Sequence, residues 1–129
     1  MKTDQDMKGL YRYELVGGWI VLAGRTDDDN DRLSLKMARP DDWWFHVKGM
    51  PGSHVILKAR PDEKPGREIM KQAAGIAVYH SKARLMGMAG VVCTKAAHVS
   101  KPRGAKSGTV NIKNERVIKA RACLPEKAV

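Results

Sequence analysis

Apolar and polar positions alternate from residue 44 to 48 and again from 54 to 57, and Pro51-Gly52 between them is a turn pair. The pattern predicts a hairpin in which Trp44, His46 and Lys48 project from one face while Phe45 and Val47 project from the other. One face then suits a core, and the other sets a ring, an imidazole and an ammonium side by side. Upstream, residues 11–15 and 19–23 read as strands around Gly17-Gly18, a two-residue hairpin turn. The run Thr26-Asp27-Asp28-Asp29-Asn30 is rich in capping residues and leads into a helix over 31–38. Leu33, Met37 and Ala38 face inward on that helix, and Arg39-Pro40 stops it.

Residues 60–66 read as a loop. Ile69, Met70, Ala73, Ile76 and Ala77 then recur at helical spacing and predict a helix over 67–79, small enough along one side to pack closely on a sheet. Residues 89–95 suit a buried strand. Residues 109–113 and 116–121 alternate as a closing hairpin around Asn114-Glu115. Strands at both ends with two helices between them make an α+β domain, mainly an antiparallel sheet. The expected division is a polar lead-in over 1–9, one domain over 10–124 and a tail over 125–129.

Composition narrows the class. At 129 residues, with 43% hydrophobic and 29% charged positions, the chain can bury a core of its own. No apolar run follows Met1 that would make a secretory leader, and no stretch approaches the roughly twenty apolar residues of a membrane span. Cys93 and Cys123 lie thirty residues apart without a CxxC pair, which fits a reduced, cytoplasmic protein, and Cys93 within Val91-Val92-Cys93-Thr94 reads as a core thiol.

Charge adds a partner. The net charge of +10 is unevenly spread: residues 1–50 carry a net −1 and residues 51–129 a net +11. No carboxylate side chain occurs between Glu68 and Glu115, while Lys71, Lys82, Arg84, Lys95, Lys101, Arg103, Lys106 and Lys113 accumulate. An ordinary solvated surface intersperses both signs, so this stretch favours a polyanion whose condensed counterions are released on binding. A basic protein with no such partner is the blander reading.

The central string Asp42-x-Trp44-Phe45-His46-x-Lys48-x-x-Pro51-Gly52-Ser53-His54 resembles the signature of the NFACT-R domain, the RNA-binding module of NEMF/RqcH-type ribosome-quality-control factors. Gly24-Arg25 followed by Asn30-Asp31-x-Leu33-Ser34-x-Lys36 is similar to that family's opening segment, and residues 99–110 to its late lysine- and glycine-rich loop. The three stretches cover roughly residues 11 to 121 in the family's order. Ser107 stands where the family commonly has a proline, and Trp43 adds a ring beside the usual one. The sequence has no room for the coiled coil or large N-terminal domain of the full factors. Choosing a tRNA or templating tail synthesis is therefore not carried over.

The resemblance implies a domain that binds tRNA or ribosomal RNA, in contact with the ribosome, without chemistry and without a cofactor. The expected contact surface combines Arg25, Trp44, His46, Lys48 and His54 with Lys82, Arg84, Lys101, Arg103 and Lys106. Trp43 and Trp44 cannot both be core on a cleanly alternating strand: one packs and the other stacks on a base, or a helix buries both. His46 and His54 divide in the same way between structural hydrogen bonding and RNA contact. Asn30 reads as a helix cap and Arg25 as the better contact. The loop over 101–108 lacks the glycine placement of a nucleotide loop, so it reads as a mobile basic loop touching RNA backbone, or as a plain connector.

Two rivals come from other classes. One is a protein-interaction module that docks on a ribosome-associated factor through the same face. The other is a metal-dependent hydrolase using Asp42, His46 and His54, although that spacing matches no helical HxxxH pattern and no cysteine joins it. Neither Ser53 nor Ser81 sits in a G-x-S-x-G elbow, and the acidic run lacks the glycine and glutamate of a calcium loop. No metal and no catalytic residue is assigned.

Overall fold

The computed structural model describes residues 9–125. The lead-in and tail expected at the termini lie outside these residues, apart from Gly9 and Pro125. Strands β1 (Leu10–Glu14), β2 (Ile20–Gly24), β3 (Trp43–Val47), β4 (Val55–Leu57), β5 (Ala89–Lys95) and β8 (Arg116–Ala120) form one antiparallel sheet in the order β1-β2-β4-β3-β5-β8. Helix α1 (Asp27–Asp31) runs on into a π-helical turn over Arg32–Met37, and α2 spans Arg67–Tyr79. Short strands β6 (Val99–Ser100) and β7 (Asn111–Ile112) pair as a separate ribbon. The α+β reading holds, as do the central hairpin, α2 and β5.

Both faces of the sheet are covered. On one, the apolar stripe of α2 packs Met70, Ala73, Ile76 and Ala77 onto Val21, Phe45, Val47, Val55, Leu57 and Val91. On the other, Leu33 from the π turn meets Leu22, Trp44 and Ile56, with Val99 and Ile112 of the ribbon and the adjoining Val110 packed around them. This second layer overturns the open hairpin face. Strand alternation still separates Trp44 from Phe45, but each points into its own core.

Three local expectations are corrected. The first helix begins at Asp27 rather than residue 31, because Thr26 supplies the cap: its Oγ1 accepts from the Asp29 amide at 3.1 Å. Asn30 is therefore inside the helix, buried, and its Oδ1 accepts from the His54 amide at 3.0 Å. In the first hairpin the Leu15 amide reaches the Trp19 carbonyl, so the loop has three residues, Val16 to Gly18, and not two. Last, β7 and β8 form no hairpin. Val110 and Ile112 pack beneath the Trp44 layer, whereas Ile118 and Ala120 of β8 belong to the α2 layer, so Asn114, in the left-handed region at φ 55°, sends the chain from one sheet to the other.

Candidate nucleic-acid interface

The turn of the central hairpin decides where the surface charges gather. Gly52 bridges to Ser81, and a Cβ on it would lie 2.7 Å from the Ser81 Cβ, so only glycine allows this approach. The Ser53 amide donates to the His80 carbonyl, the Lys82 amide to that of Pro51, and Ser53 Oγ to that of Gly24 at 2.6 Å. One short segment thus ties the end of β2 to the end of α2. Arg25, which follows β2, and Lys82 and Arg84, which follow α2, are brought to the walls of a single open groove of 480 Å³.

Rings brace these cations. Tyr11 of β1 stacks on His80 with centroids 4.3 Å apart and planes inclined by 17°. The Arg25 guanidinium lies 5.1 Å over the Tyr11 ring, and that of Arg84 lies 3.8 Å over Tyr79 while donating to its hydroxyl at 2.7 Å. Burial, with the nearby Arg84 charge, lowers the pKa of His80; burial and the neighbouring Tyr11 and Tyr79 hydroxyls raise that of Tyr13. The Tyr13 hydroxyl and His80 Nε2 share a hydrogen bond 2.5 Å long. No carboxylate forms an ion pair with Arg25, Lys82 or Arg84 among the described residues, although Asp27 lies in the groove wall.

Beside the groove, the basic loop sits on the acidic helix α1. Lys101 Nζ pairs with Asp31 Oδ2 at 2.9 Å, the Gly108 amide donates to Asp31 Oδ1 at 3.0 Å, and Ser107 Oγ donates to Asp28 Oδ1 at 2.5 Å. The loop is a docked element rather than a mobile one, and only Arg103 and Lys106 leave their charges in solvent.

A family model described as the NFACT protein RNA binding domain matches residues 10–114. The chain belongs to the NFACT RNA-binding domain family. The Rqc2 homolog RqcH of Bacillus subtilis is 37% identical over 109 residues, which is 84% of this chain and 19% of the relative. That of Streptococcus suis is 37% identical over 103 residues, 80% of this chain and 18% of the relative. The chain thus spans about a fifth of the length of the curated relatives it matches. Among solved structures, the C-terminal part of the fibronectin/fibrinogen-binding protein from Streptococcus suis superposes with a TM-score of 0.82 at 34% identity, over 90% of this chain and 46% of that one.

In this NFACT-R domain much of the central signature wires the interior. Trp44 is 3% exposed and its Nε1 donates to Ser34 Oγ at 3.0 Å; Ser34 Oγ in turn lies 2.8 Å from His54 Nδ1. Neither Trp44 nor His54, also 3% exposed, offers a ring to a ligand, because the α1 and ribbon layer covers both. His46 is half-buried, edge-on to His54 with centroids 5.6 Å apart. Burial, then the neighbouring His46 charge, lowers the His54 pKa to about 4. Burial lowers that of His46 too.

Asp42 is buried, accepting from the Arg39 amide at 2.9 Å and the Ala59 amide at 2.8 Å and ion-pairing with Lys58. It anchors a loop and does not join the histidines. Among the described residues no three His, Cys, Asp or Glu side chains converge as a metal site. Trp43 is half-exposed, with Lys95 Nζ 3.9 Å from its ring centre.

Of the ten expected contacts, Arg25, Lys82 and Arg84 share the groove, Arg103 and Lys106 ride the docked loop, and Lys48 is exposed after β3. Tyr11, Tyr79 and His80 join them, outside the expected set. Their signal was the Tyr79-His80 pair at the end of a predicted helix, one turn before two cations.

Proposed function

We propose that this NFACT-R domain binds structured RNA without chemistry of its own, through the groove between β1, the end of α2 and the Pro51-Gly52-Ser53 turn. The observation that carries the reading is the convergence of Arg25, Lys82 and Arg84 with the Tyr11, Tyr79 and His80 rings. Unpaired cations hold phosphates, and the rings offer stacking faces to unpaired bases. Arg103 and Lys106 extend the charged surface along α1. The family model, described as an RNA binding domain, supports RNA as the ligand, and we take that RNA to be tRNA or ribosomal RNA in a cytoplasmic ribosome-quality-control setting.

No helix among the described residues is long and apolar enough to cross a membrane. Titrating the protein into labelled tRNA across a salt series tests the RNA reading. Binding that weakens steeply with salt is expected, and affinity indifferent to salt would remove RNA from the lead.

One observation favours docking on a protein as a second activity. Leu85 is 94% and Met86 60% exposed, directly after Arg84. A contiguous exposed apolar tip of this kind suits contact with a protein partner. Replacing both by Ser should leave tRNA affinity unchanged and weaken co-purification with ribosomes if the tip docks there.

A further inference from the structure

A second groove, of 670 Å³, lies between the first turns of α2 and the edge strand β8. Arg67, Lys71, Arg116 and Lys119 line it, all four residues are exposed, and no carboxylate contributes to its walls. None of the four forms a salt bridge among the described residues, whereas Lys58, Arg60 and Lys101 each have an acidic partner. Four unneutralised cations in one groove repel one another, so an anion bound there is stabilised by all of them. At one end the Arg116 guanidinium lies 5.7 Å from the Trp43 ring centre, on which Lys95 also rests, so the basic strip continues past the groove.

We propose that this α2–β8 groove is a second phosphate-binding surface, which holds RNA backbone at the opposite end of α2 from the first groove. The inference rests on the RNA reading of that first groove and extends it. Helix α2 has thirteen residues, so its two ends, one at each groove, stand about 18 Å apart along one rigid rod, within the span of a single folded RNA. Charge complementarity selects phosphate, because the walls offer cations and no acid to pair with the basic groups of a protein partner. The domain then grips RNA at two points, and its affinity exceeds that of either groove alone.

The test uses the full chain, labelled mixed tRNA and labelled polyglutamate. Lys71→Gln with Lys119→Gln removes two cations without touching Trp43; Lys82→Gln with Arg84→Gln does the same in the first groove. Each pair should weaken tRNA binding and shallow the plot of log affinity against log salt by about 1.4 to 1.8, from roughly 0.7 to 0.9 per phosphate contact. Melting temperature should stay unchanged, and Arg67→Gln with Arg116→Gln provides an independent pair if the first disturbs folding. If the α2–β8 pairs bind tRNA as wild type while the Lys82 and Arg84 pair does not, the second surface is wrong and the first stands. No tRNA binding by the wild type sinks both. Polyglutamate bound as tightly as tRNA, and lost with the same α2–β8 pairs, also overturns the assignment to RNA.

Discussion

Lys101 Nζ lies 2.9 Å from Asp31 Oδ2, across seventy residues of sequence. The pair joins the most basic loop of the chain to its most acidic helix, so charges that look segregated in the sequence meet in the fold. Asp31 also accepts from the Gly108 amide. Burial alone would raise its carboxyl, but the hydrogen bonds from Lys101 and Gly108 outweigh that and hold its pKa below the ordinary value.

Removing this seat should free the loop. Asp31→Ala leaves an ammonium and an amide without their acceptor, at a cost of about 2 kcal/mol for hydrogen bonds to a charged group. Faster amide exchange over residues 101–108 should accompany the loss. Since the folded carboxyl titrates below the unfolded one, its stabilisation is complete above the usual carboxylate range and is lost as pH falls through the lowered value. Lys101→Ala should mimic Asp31→Ala in stability and change RNA affinity less than Arg103→Ala. A larger affinity loss at Lys101 would return it to the contact surface.

His54 should make the domain acid-sensitive. Its folded pKa of about 4 lies below the unfolded value near 6.5, so the unfolded chain binds more protons between those two values. Stability is therefore full above about pH 6.5, falls as pH drops toward 4 and then levels off, a change of about 3 kcal/mol for this side chain. His46 and His80 are lowered as well and add in the same direction. Denaturant melts of wild type and His54→Gln at several pH values isolate its share. An unchanged slope in the variant would show that burial does not hold the imidazole neutral.

The two ring positions of the central strand should now behave alike. Phe45 fills the α2 layer and Trp44 the α1 layer, so Trp44→Ala and Phe45→Ala should each destabilise by about 3–5 kcal/mol. Trp44→Phe, which keeps most of the ring but loses the bond to Ser34, should remain folded and bind RNA as wild type. Weakened binding by that folded variant would reopen Trp44 as a contact.

What the sequence made legible follows the range of the interaction. Helix α2 and strand β5 were readable to the residue, because each carries its own periodicity and stop signals. The fate of Trp44 was not, since nothing near it announces that Leu33 and Ile112 will close over it. The docked loop failed for the same reason: Lys101 looks free until α1 is placed beneath it. Lys82 and Arg84 stand out by charge and Arg25 by its family-like segment, but their meeting depends on Gly52, whose contact with Ser81 only the fold supplies.

The groove itself makes the sharpest prediction, because its rings and cations should fail in different ways. Tyr11 is 37% exposed and stacked on His80, so Tyr11→Ala should cost the fold only about 1 kcal/mol, the scale of one aromatic pair. On RNA it should cost about 1–3 kcal/mol, the range for a lost base-stacking contact, and more on single-stranded regions than on duplex. Lys82→Ala should weaken all RNAs nearly uniformly and reduce the salt slope by about 0.7 to 0.9, one phosphate contact. Arg84→Ala combines both signatures, since the guanidinium covers Tyr79 as well as facing the groove. Titrations of oligouridine and of an RNA duplex, each over a salt series, separate the two effects. If Tyr11→Ala and Lys82→Ala leave both titrations as in wild type, RNA does not occupy this groove. The basic loop and the α2–β8 face would then have to account for binding between them.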